Sequence, residues 1–108
     1  MASDVMERIK ADVEGNKILL YIKGTKEMPM CGFSAATIGL FQSLGVPFQT
    51  VDVLADPEIR EAVKEYTNWP TIPQVFINGE FIGGCDIVHE MHERGELEPL
   101  VKAAVGGK

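Results

Sequence analysis

The sequence predicts an α/β domain in which one mixed, four-stranded sheet carries helices on both faces. Two observations lead to this prediction. First, short apolar segments alternate with segments of helical periodicity in the order α-β-α-β-α-β-β-α-α. Second, a helix separates the first two strands, so they need a right-handed crossover and lie parallel, whereas the last two strands form a hairpin.

Four segments have the composition of strands. Residues 18–22 form a continuous apolar run, which is typical of a strand buried on both faces. Residues 48–53 predict the second strand. Residues 74–77 and 80–82 flank Asn78–Gly79, a pair favoured in two-residue turns, and we therefore expect them to form a β-hairpin.

Start and stop signals mark the helices. Asp4 with Glu7 predicts a capping box for the first helix, and Asp56 followed by Pro57 predicts the start of the third. Asp86 is expected to cap the fourth helix. Glycines are expected to end the first, second and fourth helices: Gly15, Gly45 and Gly95.

Composition and charge limit the function. The chain has 108 residues, which suits a single domain over residues 1–108, with a frayed tail expected at residues 106–108. Its net charge of −6 argues against nucleic-acid and anionic-membrane partners, although Lys23 and Lys26 could form a local basic site. No apolar run is long enough to span a bilayer, and the N-terminus lacks the features of a signal peptide. Two cysteines do not make a secreted disulfide framework, so we expect a cytoplasmic protein.

Cys31 occupies a position that favours a reactive thiolate. It follows the loop after the first strand and precedes a helix predicted from about residue 32. The carboxyl ends of strands in open α/β sheets bind ligands, and a helix N-terminus offers free N–H groups and a partial positive charge. Lys23 adds a cation at the end of the same strand. We therefore expect a lowered pKa for the Cys31 thiol, and a functional role rather than a buried structural one.

Ser34 stands three residues after Cys31, where a Cys-x-x-Cys redox pair would carry its second thiol. A hydroxyl cannot resolve a mixed disulfide, so a dithiol cycle in this loop is excluded. Three chemistries remain open: glutathione-dependent exchange at one thiol, metal ligation, and nucleophilic catalysis with a distant base. The candidates for that base are His89 and His92.

Four motifs occur in the order and at the spacings of a known family. They are residues 23–25 (KGT), 31–34 (CGFS), 69–73 (WPTIP) and 83–86 (GGCD). Together they resemble the monothiol glutaredoxins of the CGFS type, over nearly the whole chain and in the short single-domain bacterial form. The resemblance implies a thioredoxin fold with a glutathione-binding site.

The resemblance assigns residues to that glutathione site. Lys23 and Arg60 would hold the glycine carboxylate of glutathione, with Gln74 near the same end. A cis peptide bond before Pro73 would turn the backbone N–H and C=O of Ile72 toward the cysteinyl part, pairing with it like a strand edge. Taken singly, each of these side chains could equally be a surface charge or part of a packed turn.

Cys85 and Asp86 would meet the γ-glutamyl end of glutathione, where helix N–H groups suit a carboxylate and the Asp86 side chain accepts from the ammonium group. Cys85 could also form a disulfide with Cys31 if the geometry permits. An alternative places a zinc ion on Cys85, His89 and His92, which share one face of a predicted helix.

The resemblance also implies a cofactor and partners. A 2Fe–2S cluster needs four thiolates, and Cys31 with the sulfur of a bound glutathione would supply two of them. Two protomers would complete the set, so the cluster would bridge a homodimer. A BolA-like protein would replace one protomer, and apo iron–sulfur proteins would receive the cluster. The competing functions are a monothiol oxidoreductase that removes glutathione from proteins, with Cys31 as its nucleophile, and a regulatory module acting through a BolA-like partner.

Overall fold

The computed structural model describes residues 2–106, and its elements follow the predicted order. The helices are α1 (Ala2–Gly15), α2 (Gly32–Ser43), α3 (Pro57–Thr67), α4 (Cys85–Glu93) and α5 (Leu97–Gly106). The strands are β1 (Ile18–Ile22), β2 (Gln49–Asp52), β3 (Gln74–Ile77) and β4 (Glu80–Gly83). The second strand is therefore shorter at both ends than the sequence predicted.

The four strands form one mixed sheet in the order β2-β1-β3-β4. β1 is parallel to β2 and antiparallel to β3, and β3 pairs antiparallel with β4. The hairpin turns at Asn78 and Gly79, whose φ angles of 55° and 83° suit a two-residue turn that needs positive φ at both positions. The predicted mixed sheet is confirmed, with β1 in its interior.

The interior strand β1 is buried on both faces, as its continuous apolar sequence predicts. Successive side chains of a strand point to opposite faces of the sheet. Ile18, Leu20 and Ile22 pack in one cluster with apolar residues of α2, α4 and α5, while Leu19 and Tyr21 pack on the other face with α1 and α3. The chain therefore has two core layers, and the end of β1 emerges between them.

Of the three side chains predicted to cap helix N-termini, one is confirmed and two are wrong. Asp56 caps α3, because its side chain accepts hydrogen bonds from the N–H groups of Glu58 and Ile59. Asp4 lies inside α1, which begins at Ala2. Asp86 lies in the first turn of α4, whose N-cap is Gly84. A carboxylate in the first turn of a helix is stabilised by the partial positive charge there without capping the helix. The sequence alone therefore does not distinguish a first-turn carboxylate from an N-cap carboxylate.

The C-terminal helix α5 ends at Gly106, the first residue of the tail that is expected to fray. Gly107 and Lys108 lie outside the described residues, so the frayed tail stays a prediction. Within residues 2–106, no helix combines the length and apolar character that crossing a membrane requires.

Candidate functional site

A groove of about 490 Å³ opens where β1 ends and where α2 and α4 begin. Seven of the eight residues that the sequence analysis assigned to the glutathione site line this groove: Lys23, Cys31, Arg60, Ile72, Pro73, Cys85 and Asp86. The fold thus brings together residues that lie up to 63 positions apart in sequence (23 to 86). Their individual roles toward a ligand stay predictions.

Cys31 is the N-cap residue of α2. Its backbone is extended, with φ −148° and ψ 136°, so the helix begins immediately after it. Its side chain therefore faces the free N–H groups of the first helical turn, those of Phe33 and Ser34 among them. The side chain makes no helix-capping hydrogen bond, but the N–H groups of Ser34 and Phe33 can donate to the thiolate form of the sulfur. The thiol is free and partly exposed.

This position lowers the pKa of the Cys31 thiol, as predicted. The backbone N–H of Ser34 is the largest cause of the lowered pKa, and the N–H of Phe33, the Ser34 hydroxyl and the Lys23 ammonium act in the same direction. Partial burial of the sulfur opposes them. Since the thiolate is the nucleophile and the metal ligand, either kind of chemistry benefits from this environment.

Ser34 has a structural function that the sequence did not reveal. Its side chain is fully buried, and its Oγ accepts a hydrogen bond from the backbone N–H of Lys23 at 3.1 Å. The hydroxyl that replaces a second thiol thus connects the end of β1 to the first turn of α2. The same hydroxyl helps to stabilise the Cys31 thiolate.

The loop between β1 and Cys31 is closely packed around Gly24. At Gly24 φ is 96°, and an added Cβ would lie 2.6 Å from the carbonyl oxygen of Met28, so only glycine fits. Its N–H donates to Oδ1 of Asp52 at 2.9 Å, and the N–H of Met30 donates to the carbonyl of Lys23 at 2.8 Å. These bonds fix the path of the chain that leads to Cys31.

One end of the groove is cationic. Lys23, Arg60 and Lys64 line the groove there, whereas Asp86 lies in the first turn of α4. Nε of Arg60 and Nε1 of Trp69 are buried, and neither has a hydrogen-bond partner within residues 2–106. Both side chains line the groove, although these two nitrogen atoms are themselves enclosed by the protein. Lys64 was missed, although its position one helical turn after Arg60 was a signal for the same face.

The predicted cis bond is present between Ile72 and Pro73. The backbone N–H and C=O of Ile72 make no hydrogen bond within residues 2–106, which leaves them available at the groove wall. Gln74, expected near the same end, does not line the groove. It is fully buried, and its Nε2 donates to the carbonyls of Trp69 (3.0 Å) and Thr71 (3.2 Å). It therefore supports this wall from behind.

Comparison with known proteins shows the family of this chain. A protein-family model described as Glutaredoxin matches residues 18–82. The chain belongs to the glutaredoxin family. It is 50% identical over 105 residues to a Synechocystis protein described as an uncharacterized monothiol glutaredoxin, ycf64-like, covering 97% of this chain and 98% of that protein. It is 47% identical to glutaredoxin 4 of Escherichia coli K12, covering 93% and 87%.

The fold of this glutaredoxin also matches solved structures. A buckwheat glutaredoxin–glutathione complex superimposes with a TM-score of 0.86 at 29% identity, covering 95% of this chain and 92% of that one. The thioredoxin fold and the resemblance to monothiol glutaredoxins are therefore confirmed.

A second, shallower and mainly apolar pocket adjoins the groove of this glutaredoxin. It is lined by Cys31, Gly32, Phe33, Ala36, Cys85, Asp86 and His89. Nδ1 of His89 lies 2.8 Å from the carbonyl oxygen of Cys85, and since a carbonyl can only accept, Nδ1 carries the proton. Within residues 2–106, no three His, Cys, Asp or Glu side chains are arranged to hold a metal ion, so the zinc alternative on Cys85, His89 and His92 is not supported.

We predict that Ser34→Ala raises the pKa of Cys31. The substitution removes the hydroxyl but keeps the backbone N–H that contributes most, so the rise should be partial. The measurement is the pH dependence of iodoacetamide alkylation in a Cys85→Ser background, where Cys31 is the only thiol. Because the thiolate reacts, the midpoint should move to higher pH. Ser43→Ala, at the far end of α2, is the matched control, and an unchanged midpoint in Ser34→Ala would contradict the role of the hydroxyl.

Proposed function

We propose that this monothiol glutaredoxin binds glutathione in the groove and carries a labile 2Fe–2S cluster between two protomers for delivery to apo iron–sulfur proteins. One observation carries the proposal: the Cys31 thiol lies where the cationic groove and the apolar pocket meet. One side of the sulfur can thus face a small anionic ligand, and the other can face a second protein. The two free cysteines favour a reducing compartment, which we take to be the cytoplasm.

Glutathione fits the groove by charge and by hydrogen-bonding groups. Lys23, Arg60 and Lys64 supply cations for its glycine carboxylate. The free backbone of Ile72 can pair with the cysteinyl part. At the far end, the first turn of α4 offers N–H groups to the γ-glutamyl carboxylate, and Asp86 faces its ammonium group. A related buckwheat glutaredoxin is described as a glutathione complex, which supports the assignment.

The ligand count requires more than one chain. A 2Fe–2S cluster needs four sulfur ligands, and the sequence has two cysteines. Cys31 with the thiol of a bound glutathione gives two ligands on one face, so two protomers complete the set. The lowered pKa of Cys31 favours the thiolate that iron requires. When bound, the cluster is cargo, and its two glutathione ligands are exchangeable, which suits release to a recipient.

The exposed face of such a cluster would meet several partners in turn. A second copy of the chain completes the carrier form, and a BolA-like protein replaces that copy in a mixed dimer. Apo iron–sulfur proteins receive the cluster. All of these partners approach the same face, around Cys31, so their binding is mutually exclusive.

Glutathione affinity tests the groove. We predict that Arg60→Met weakens binding of S-methylglutathione by roughly tenfold or more, because a charge-assisted hydrogen bond to the carboxylate is lost. S-methylglutathione is the probe because its blocked thiol cannot exchange with Cys31, and calorimetry measures its dissociation constant. Arg94→Met is the matched control, since Arg94 is an exposed arginine on the surface beyond the groove, paired with Glu90. If both variants weakened S-methylglutathione binding equally, the effect would come from the change in net charge and not from a contact between Arg60 and the carboxylate.

Anaerobic reconstitution with iron, sulfide and glutathione tests cluster binding. The wild type should give the visible absorption of a 2Fe–2S centre in a dimer, Cys85→Ser should retain it, and Cys31→Ser should lose it. Omitting glutathione should abolish assembly, because half of the ligands are then missing. A Cys31→Ser protein that still assembled the same cluster would sink the proposal.

The second candidate function is a glutathione-dependent oxidoreductase, which the lowered pKa of Cys31 favours. The Cys31 thiolate would attack the glutathione sulfur of a protein mixed disulfide and release the protein thiolate. A free glutathione thiolate would then attack that same glutathione sulfur, freeing Cys31 and producing glutathione disulfide. Turnover of a glutathionylated peptide by cluster-free protein separates the two functions. Robust turnover without any cluster assembly favours the oxidoreductase, whereas assembly with weak turnover favours the carrier.

A further inference from the structure

Three large apolar side chains beside Cys31 are exposed to solvent. Met28, Met30 and Phe33 keep 69%, 64% and 61% of their surface accessible. They fall within six consecutive residues, and Cys31 lies among them. Exposed apolar side chains that cluster in this way mark interaction surfaces. We call these three residues the methionine patch.

The loop that carries Met28 and Met30 is fixed to the body of the protein by hydrogen bonds. Thr25 and Met28 exchange two backbone hydrogen bonds of 3.1 Å each, and Nζ of Lys26 donates to the carbonyl of Phe48 at 2.7 Å. The loop therefore presents its methionines outward at a fixed place. Methionine side chains are unbranched and adaptable, which suits a surface that must fill a partner's cavity.

A matching apolar cavity lies on the same face. The second pocket is lined in part by two small exposed residues, Gly32 and Ala36, and by Phe33 of the patch, whereas neither Met28 nor Met30 lines it. Cys31 lies at the edge of this pocket and directly follows Met30 in sequence. The face around Cys31 thus carries both a projection and a cavity, which is what an isologous twofold contact requires.

We propose that in the cluster-bridged dimer the methionines of one protomer pack into the apolar pocket of the other, over Gly32 and Ala36. This proposal rests on the proposed cluster carrier. If both protomers ligate one cluster through Cys31, their Cys31 faces oppose each other, and the patch of one must meet the surroundings of Cys31 in the other. Two chains of net charge −6 repel each other at long range, so a local apolar contact has to oppose that repulsion.

The contact is small, and this decides when it forms. Stable protein interfaces bury at least about 1,200 Å² in total, far more than three side chains can provide. The patch therefore cannot hold two cluster-free chains together. It adds to the bridging by the cluster itself, so cluster-free protein stays monomeric. In the cluster-loaded dimer, the patch contributes to the dimerisation affinity.

A charge exchange across the contact tests the proposal. Met30→Lys and Ala36→Glu are made separately, and each is reconstituted with iron, sulfide and glutathione. Both positions are exposed, so circular dichroism should show unchanged folding. Sedimentation equilibrium should show that each variant dimerises roughly tenfold more weakly than the wild type, because an apolar contact is lost and a charged side chain would have to be buried against an apolar surface.

Mixing the two variants should restore dimerisation. In the mixed dimer the introduced lysine of one chain meets the introduced glutamate of the other, while the second contact keeps its native Met30 and Ala36. Leu54→Lys is the matched control, because Leu54 is 45% exposed and lines neither pocket. It should leave the loaded dimer unchanged.

Each other outcome overturns the proposal in a recognisable way. If the wild type forms no cluster-bearing dimer, the proposed function itself fails and the contact fails with it. If the wild type does form one, but the variants match it or the mixture gives no rescue, only the contact is wrong. If the loaded dimer is unaffected while cluster transfer to an apo ferredoxin slows, the patch serves the recipient instead.

Discussion

The hydrogen bond from the Lys23 backbone N–H to the Ser34 hydroxyl connects the end of the central strand to the first turn of α2, and the chemistry of Cys31 depends on that connection. The strand fixes where the Lys23 ammonium begins, and the helix fixes where its free N–H groups point. Cys31 lies between them at the N-cap. By accepting this hydrogen bond, the buried Ser34 hydroxyl fixes the end of β1, which carries Lys23, relative to the first turn of α2, which carries the free N–H groups. A serine in place of the second thiol thus excludes a dithiol cycle and helps to stabilise the Cys31 thiolate.

Around this connection, the fold separates two kinds of surface. Cationic side chains line the groove, and a mainly apolar pocket adjoins it at Cys31. A single sulfur at the boundary can be shared between a small anionic thiol and a second protein. The cations that line the groove would allow a chain of net charge −6 to bind the proposed anionic ligand, because the local charge there is positive.

Most of the fold could be predicted because its signals are local. The apolar run of β1, the Asn78–Gly79 turn and the Asp56–Pro57 helix start each act within a few residues. The unpredicted features depend on tertiary contacts. Ser34 accepts from a residue eleven positions earlier, and Gln74 turns inward to support the groove wall. Lys64 lies one helical turn after Arg60, so its place in the groove follows only once Arg60 is assigned to that groove.

The central claim is that one protein thiol per chain suffices because glutathione supplies the other ligand. Native mass spectrometry of protein purified without oxygen measures this directly. The account predicts one species containing two chains, two glutathione molecules and one 2Fe–2S cluster, which separates into single chains when the cluster is lost. A cluster held by a single chain, or by two chains without glutathione, would contradict it.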